Sequence, residues 1–252
     1  MPTICVHCTA RRDSELHVVP CGVDSRTFHP VRRERAREVL QLDPDRPMLL
    51  QLGRMVPRKG IDDAIRALRP LRAAHGIDAQ LLIVGGATDF PDETATPHLG
   101  VLREVADECG VADAVTFVGR RGGDVLRYYY SAADAFVTTP WYEPFGITPL
   151  EAMACGTPVI GSDVGGIKYS VVDGVTGFLV PARAPCAIAD RAATLITNPG
   201  LRAGMSQRAV QRVRSQFQWH QVAAAIDRVY ADVVPDGPTN IQRPVALSEG
   251  RA

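Results

Sequence analysis

From residue 47 onward, short runs of aliphatic and β-branched residues alternate with longer amphipathic stretches, the pattern of parallel strands joined by crossover helices. Predicted strands are Met48 to Leu52, Gln80 to Val84, Ala114 to Val118, Ala135 to Thr138, Pro158 to Gly161 and Gly177 to Val180. Between the first two, Ile61 to Ala74 sets Ile61, Ala64, Ile65, Leu68 and Leu71 on one helical face, with Pro70 predicting a kink. Leu99 to Cys109 and Gly123 to Ala133 read as the next helices, and Cys186 to Ile196, Leu201 to Gln216 and Val222 to Val233 as three more. A short strand is also read at Leu16 to Pro20. The fold class is α/β, a single doubly wound parallel sheet, and in such sheets ligands sit beyond the carboxyl ends of the strands.

Composition narrows the function. Lys plus Arg and Asp plus Glu both count 28, so no overall field draws the chain to nucleic acid, and at most peripheral membrane contact is expected. An anionic ligand has to be gripped locally. Met1 to Glu15 has no apolar run long enough for a signal peptide, and nothing downstream approaches the ~20 apolar residues of a membrane span. The expected compartment is the cytoplasm. Six scattered cysteines are too sparse for a disulfide scaffold, in keeping with a reducing environment. Cys5, Cys8, His17 and Cys21 form the one spacing that resembles a zinc set, but no second close pair completes it, and no metal is assigned.

Gly53-Arg54-Met55-Val56-Pro57-Arg58-Lys59-Gly60 follows a predicted strand directly and precedes a predicted helix. Its cations are thereby held at a strand end, where a diphosphate leaving group needs positive charge; one cation at ~4 Å contributes about 4 kcal/mol at an effective dielectric near 20. The order of a Walker loop is absent. Taken alone, Arg54, Arg58 and Lys59 read equally as a solvated loop.

Thr139 to Gly156 follows the strand Ala135 to Thr138 and turns into a helix near Thr148, with Thr148 expected as the N-cap and Pro149 in the first turn. Free amides and the positive dipole end would then point at an anion. Glu143 and Glu151 border the same crevice. Ionised carboxylates do not grip phosphate; they accept hydrogen bonds from vicinal hydroxyls such as those of a ribose or a sugar ring. Alone, Glu151 equally suits a helix N-terminus and Glu143 a solvated loop.

Together these segments resemble the retaining glycosyltransferases of the two-lobed GT-B fold, family four. The resemblance rests on Glu143 and Glu151 with seven residues between them, Phe145-Gly146 inside, and Gly53-Arg54 to Lys59-Gly60 upstream. Val19-Pro20-Cys21-Gly22-Val23-Asp24, Gly156-Thr157-Pro158-Val159-Ile160 and Asp173 to Val180 are similar to further landmarks, so it covers about residues 16 to 232. It implies one Rossmann-like lobe that binds a nucleotide diphosphate sugar such as UDP-glucose or GDP-mannose, with no further cofactor and no metal. By resemblance, Arg54, Lys59 and Glu143 carry the chemistry. Arg54 and Lys59 hold the diphosphate beside Gly53 and the amides of Gly146, Ile147 and Thr148, with Phe145 in the same loop. Glu151 meets ribose hydroxyls, Glu143 the transferred sugar, and Arg120 or Arg121 the base. Retention implies same-face attack, the departing phosphate taking the acceptor proton, so no nucleophile is assigned.

The same family places its acceptor site in a first lobe. Residues 1–15 are too few for a βαβ unit of ~30 residues and read as a remnant, 16–234 as the nucleotide-sugar-binding domain, and 235–252 as a disordered tail. Hexose transfer to a sugar, lipid or small-molecule acceptor is therefore expected to need an acceptor lobe. The alternatives are a nucleotide-sugar-binding module without catalysis, or a chain that self-associates through its uncovered face. Tyr169 stands where many relatives carry a glutamate, after Gly165-Gly166.

Overall fold

The aliphatic runs form one sheet in which every neighbouring pair is parallel, in a computed structural model that describes residues 17–233. Its strands are β1 (Met48–Leu52), β2 (Gln80–Val84), β3 (Val115–Gly119), β4 (Ala135–Thr138), β5 (Val159–Ser162) and β6 (Gly177–Val180), in the order β3-β2-β1-β4-β5-β6. Two strands lie one residue later than predicted, β3 because a 3-10 turn takes up Ala112–Ala114 and β5 because the chain is still entering the sheet at Pro158. Successive strands run outward from β1 on one side and from β4 on the other, so the winding reverses between those two. That reversal opens a crevice at their carboxyl ends.

Burial on both faces explains the unbroken apolar strands. Alternate residues point to opposite sides: Leu49, Leu81, Ile83, Val137 and Ile160 meet one layer of helices, while Met48, Leu50, Leu82, Phe136 and Val159 meet the other. The first layer holds α2 (Ile61–His75), α3 (His98–Glu108) and α7 (Pro185–Thr197). Opposite lie α1 (Arg33–Val39), α4 (Gly123–Ala132), α5 (Ile147–Ala154) and α8 (Pro199–Gln216). Two elements, α6 (Ile167–Ser170) and α9 (Trp219–Val233), close the order. Helix α2 continues past Pro70 for a further turn, so the proline does not end it.

Three readings of the sequence change. The strand expected at Leu16 to Pro20 is not formed by residues 17–20; the Val23 amide instead donates to the Phe217 carbonyl at 2.8 Å, which ties this segment to the end of α8 rather than to the sheet. Helix α1 was not predicted, because its segment RERAREV buries only Ala36 and Arg37. The helix expected to start from Thr148 begins one turn position earlier, with Gly146 before Ile147 and no side-chain cap. Cys5, Cys8, residues 1–15 and residues 235–252 lie outside the described residues. Among the described residues no helix is long and apolar enough to cross a membrane.

Candidate functional site

At the carboxyl end of β1, the chain leaves the sheet at Gly53 and turns through a 3-10 segment, Pro57–Lys59, before α2. At the carboxyl end of β4, Thr139 to Gly146 lead into α5. The two loops are joined by their backbones. Trp141 donates its amide to the Arg58 carbonyl at 3.0 Å, and the Thr139 hydroxyl donates to the Gly60 carbonyl at 2.6 Å. Gly60 has φ +59, and a Cβ there would lie 2.0 Å from the Thr139 carbonyl oxygen, so only glycine permits this junction.

That junction brings Lys59 Nζ to 2.5 Å from Glu143 Oε2, with side chains 16% and 14% exposed. A third loop holds Glu143 from behind: Gly166 donates its amide to the Glu143 carbonyl at 3.0 Å, and a Cβ on Gly165 would lie 1.9 Å from that same oxygen. The sequence gave no reason to assign Gly165 and Gly166 this part, since the contact joins segments far apart in the chain. Arg54 is exposed and makes no ion pair among the described residues, which leaves its charge for a ligand. Lys59 has two further ammonium hydrogens to offer beyond the one on Glu143.

Facing these cations is the start of α5. Ile147 and Thr148 are its first two residues, so their amides have no partner one turn back, and Ile147 is exposed. The helix end adds a partial charge of roughly +0.5. Phe145 is half-buried and packs against the core, which anchors the loop. Arg54, Lys59, Glu143, Gly53, Phe145, Gly146, Ile147 and Thr148 thus surround one crevice between β1 and β4. Among the described residues no three His, Cys, Asp or Glu side chains gather to hold a metal ion.

Glu151 stands one turn into α5, half-buried, and the hydroxyl of Tyr130 donates to its Oε2 at 2.7 Å. Burial pushes the Glu151 carboxyl up, while the Tyr130 hydrogen bond pulls it down. Tyr130 went unrecognised because the run Tyr128-Tyr129-Tyr130 does not reveal which ring turns toward α5. Arg120 and Arg121 follow β3, separated from β1 by β2 and thus by about 10 Å. Both engage the loop after β2: Arg120 lies 3.3 Å from an Asp89 carboxylate oxygen, and Arg121 donates to the Asp89 carbonyl at 2.6 Å. At the foot of the Gly60 junction, Asp63 has an unpartnered, buried Oδ2, and desolvation pushes its carboxyl up to about 6.

Comparison with known proteins places this arrangement. The family described as "Glycosyl transferases group 1" matches residues 32–212. The chain is 38% identical over 216 residues to D-inositol 3-phosphate glycosyltransferase of Actinosynnema mirum, a match covering 84% of this chain and 51% of that protein. It is 34% identical over 230 residues to alpha-maltose-1-phosphate synthase of Mycobacterium tuberculosis, covering 86% of this chain and 57% of that one. Among solved structures, sucrose-phosphate synthase from Thermosynechococcus elongatus superposes with a TM-score of 0.77 at 34% identity, covering 87% of this chain and 53% of that one. The chain spans about half the length of the curated relatives it matches.

Proposed function

This chain belongs to the glycosyl transferases group 1 family, and from that membership we propose that it is the cytoplasmic donor lobe of a retaining hexosyltransferase. Its crevice between β1 and β4 would take the diphosphate of a nucleotide sugar such as UDP-glucose or GDP-mannose, and an acceptor lobe would complete the enzyme. The observation that carries this reading is the meeting of Lys59, Glu143, exposed Arg54 and the amide end of α5 at one sheet reversal. Cations and amides converge on an anion there, and two carboxylates stand beside it to accept from hydroxyls.

In this reading the bond from the anomeric carbon to the diphosphate breaks as the acceptor oxygen bonds to the same face of the sugar. The acceptor proton passes to the departing phosphate oxygen. Arg54, Lys59 and the Ile147 and Thr148 amides stabilise the charge that grows on that phosphate, work a metal ion does elsewhere, and they are preorganised by the loop junctions. Glu143 orients the sugar and stabilises its oxocarbenium character. Glu151 binds the ribose, and Arg120 or Arg121 faces the base. The names of the relatives share a phosphate-bearing polyol or sugar, which makes a phosphorylated polyol the first acceptor class to try.

Calorimetric titration with UDP, GDP and ADP in the presence of a chelator tests the donor site. At least one is expected to bind with micromolar affinity, and its UDP- or GDP-sugar more tightly or equally. Folded protein that binds none of the three overturns the reading. Incubation of the sugar nucleotide that binds with D-inositol 3-phosphate, and detection of the glycosylated product, tests transfer.

A further inference from the structure

We propose that Tyr130 is a positioning residue for Glu151, holding one carboxylate oxygen so that the other alone faces the ribose hydroxyls of the donor. This rests on the donor-site reading above and adds a residue that reading does not contain.

The Tyr130 ring is fully buried and held edge-on by two neighbours, Phe28 at 6.1 Å between centroids and Phe136 at 5.4 Å. Its backbone is fixed too, since the Thr157 hydroxyl donates to the Tyr130 carbonyl at 2.6 Å. The direction of the Tyr130 hydroxyl is therefore set by packing, and its partner is Glu151 Oε2 at 2.7 Å. An ionised carboxylate only accepts, so the phenol is the donor in this pair. Glu151 Oε1 accepts no hydrogen bond from the described residues and is not sealed from solvent. A free carboxylate turns about its last torsion and offers either oxygen; this one is locked, with a single oxygen and its two lone pairs left for a vicinal diol. The rotational freedom a ligand would otherwise have to remove is already gone.

The electrostatics agree with that geometry. Burial disfavours the ionised carboxylate, and the phenol is the group that restores it. The other titratable neighbour is the Cys155 thiol, one turn later on α5, which burial keeps protonated; Arg127, on α4, acts on that thiol. Removing the Tyr130 hydroxyl therefore leaves Glu151 with burial alone. Its carboxyl then protonates at higher pH, and a protonated carboxyl loses its capacity to accept from two hydroxyls at once.

The test compares UDP, GDP and ADP, each beside its 2′,3′-dideoxy counterpart, on the wild-type chain and on Tyr130→Phe. Wild type is expected to prefer the ribose form by about tenfold, the scale of a hydrogen bond to a charged group. In Tyr130→Phe that preference falls to about twofold or less while affinity for the dideoxy form holds, and adding Glu151→Gln lowers it no further. Without ligand, the carbon-13 resonance of the Glu151 carboxyl, identified by its loss in Glu151→Gln, titrates at higher pH in Tyr130→Phe. If Tyr130→Phe does not fold, 3-fluorotyrosine at position 130 keeps the shape and strengthens the donor, and the same resonance must move to lower pH. Equal losses for ribose and dideoxy forms, or an unmoved titration, mean that the ring only packs and overturn the proposal. Wild type that binds none of the three nucleotides removes the donor site itself, and the proposal with it. Binding with an unchanged ribose preference removes the role of Tyr130 alone.

Discussion

Lys59 and Glu143 each stand largely out of solvent, so neither is cheap to remove alone. Taking the ammonium from a mostly buried pair leaves a carboxylate without compensation, at a cost of about 2 to 4 kcal/mol, whereas removing both charges together costs much less. The pair therefore separates structural from functional roles. Lys59→Met is expected to lower stability by about 2 kcal/mol and to abolish nucleoside diphosphate binding. Lys59→Met with Glu143→Gln is expected to regain most of that stability and none of the binding. Urea melts and calorimetry on the two variants check this; binding restored along with stability would mean that Lys59 serves the fold and never meets the phosphate.

At the scale of elements, the site is made where loops from three strands touch. The Gly60 junction is the tightest contact between the two loops that carry the cations and Glu143. Gly60→Ala forces a Cβ to within 2.0 Å of the Thr139 carbonyl oxygen at φ +59, and the loops have to part. Gly76 supplies the control: it ends α2 at φ +65 with nothing within 4 Å, so alanine there meets only the strain of the left-handed backbone. Gly76→Ala is expected to cost about 1 kcal/mol, a few degrees in Tm, with nucleotide affinity intact. Gly60→Ala is expected to cost at least twice that and to weaken binding at temperatures where it remains folded. Equal melting shifts in the two variants would show that the junction tolerates a side chain. This contrast also marks what the sequence discloses. Strand β1, strand β4 and the loops behind them were legible because aliphatic runs and their flanking cations are local signals. The hydroxyl of Tyr130 on Glu151 and the grip of Gly165-Gly166 on Glu143 were not, since each pairs residues whose meeting depends on the finished sheet. Helix α1 escaped for a different reason: a segment of arginines and glutamates around one buried alanine shows no apolar face, and it is Arg37, buried and donating to Ala132, Asp43, Pro44 and Arg46 carbonyls, that docks it.

Across the whole molecule, the sheet divides two kinds of charge cluster between its ends. Asp134, at the amino end of β4, is buried and takes ion pairs from Arg33 of α1 at 2.7 Å, Arg37 of α1 at 3.3 Å and Arg202 of α8 at 3.3 Å. It also accepts from the Met48 amide at 2.8 Å, so one carboxylate ties two helices to the start of β1. At the other end, about 15 Å along strands that rise ~3.3 Å per residue, Arg54 is exposed beside the crevice. The first cluster is closed on itself and the second is open, and sites this far apart with no shared partners act almost independently. Asp134→Asn removes the charge that three guanidinium groups share and is expected to destabilise the fold by about 3 kcal/mol while leaving the nucleotide affinity of the folded protein within about twofold. Arg54→Gln is expected to do the reverse, with stability changed by less than about 0.5 kcal/mol and affinity lowered about tenfold. Because positive and negative side chains balance at 28 each, no long-range field can supply the attraction that Arg54 loses, so its deletion should appear in full. Chemical melts and calorimetry on both variants give the four values. If Asp134→Asn weakens nucleotide binding as much as Arg54→Gln does, the two ends are coupled through the sheet, and the crevice is not held by its own loops.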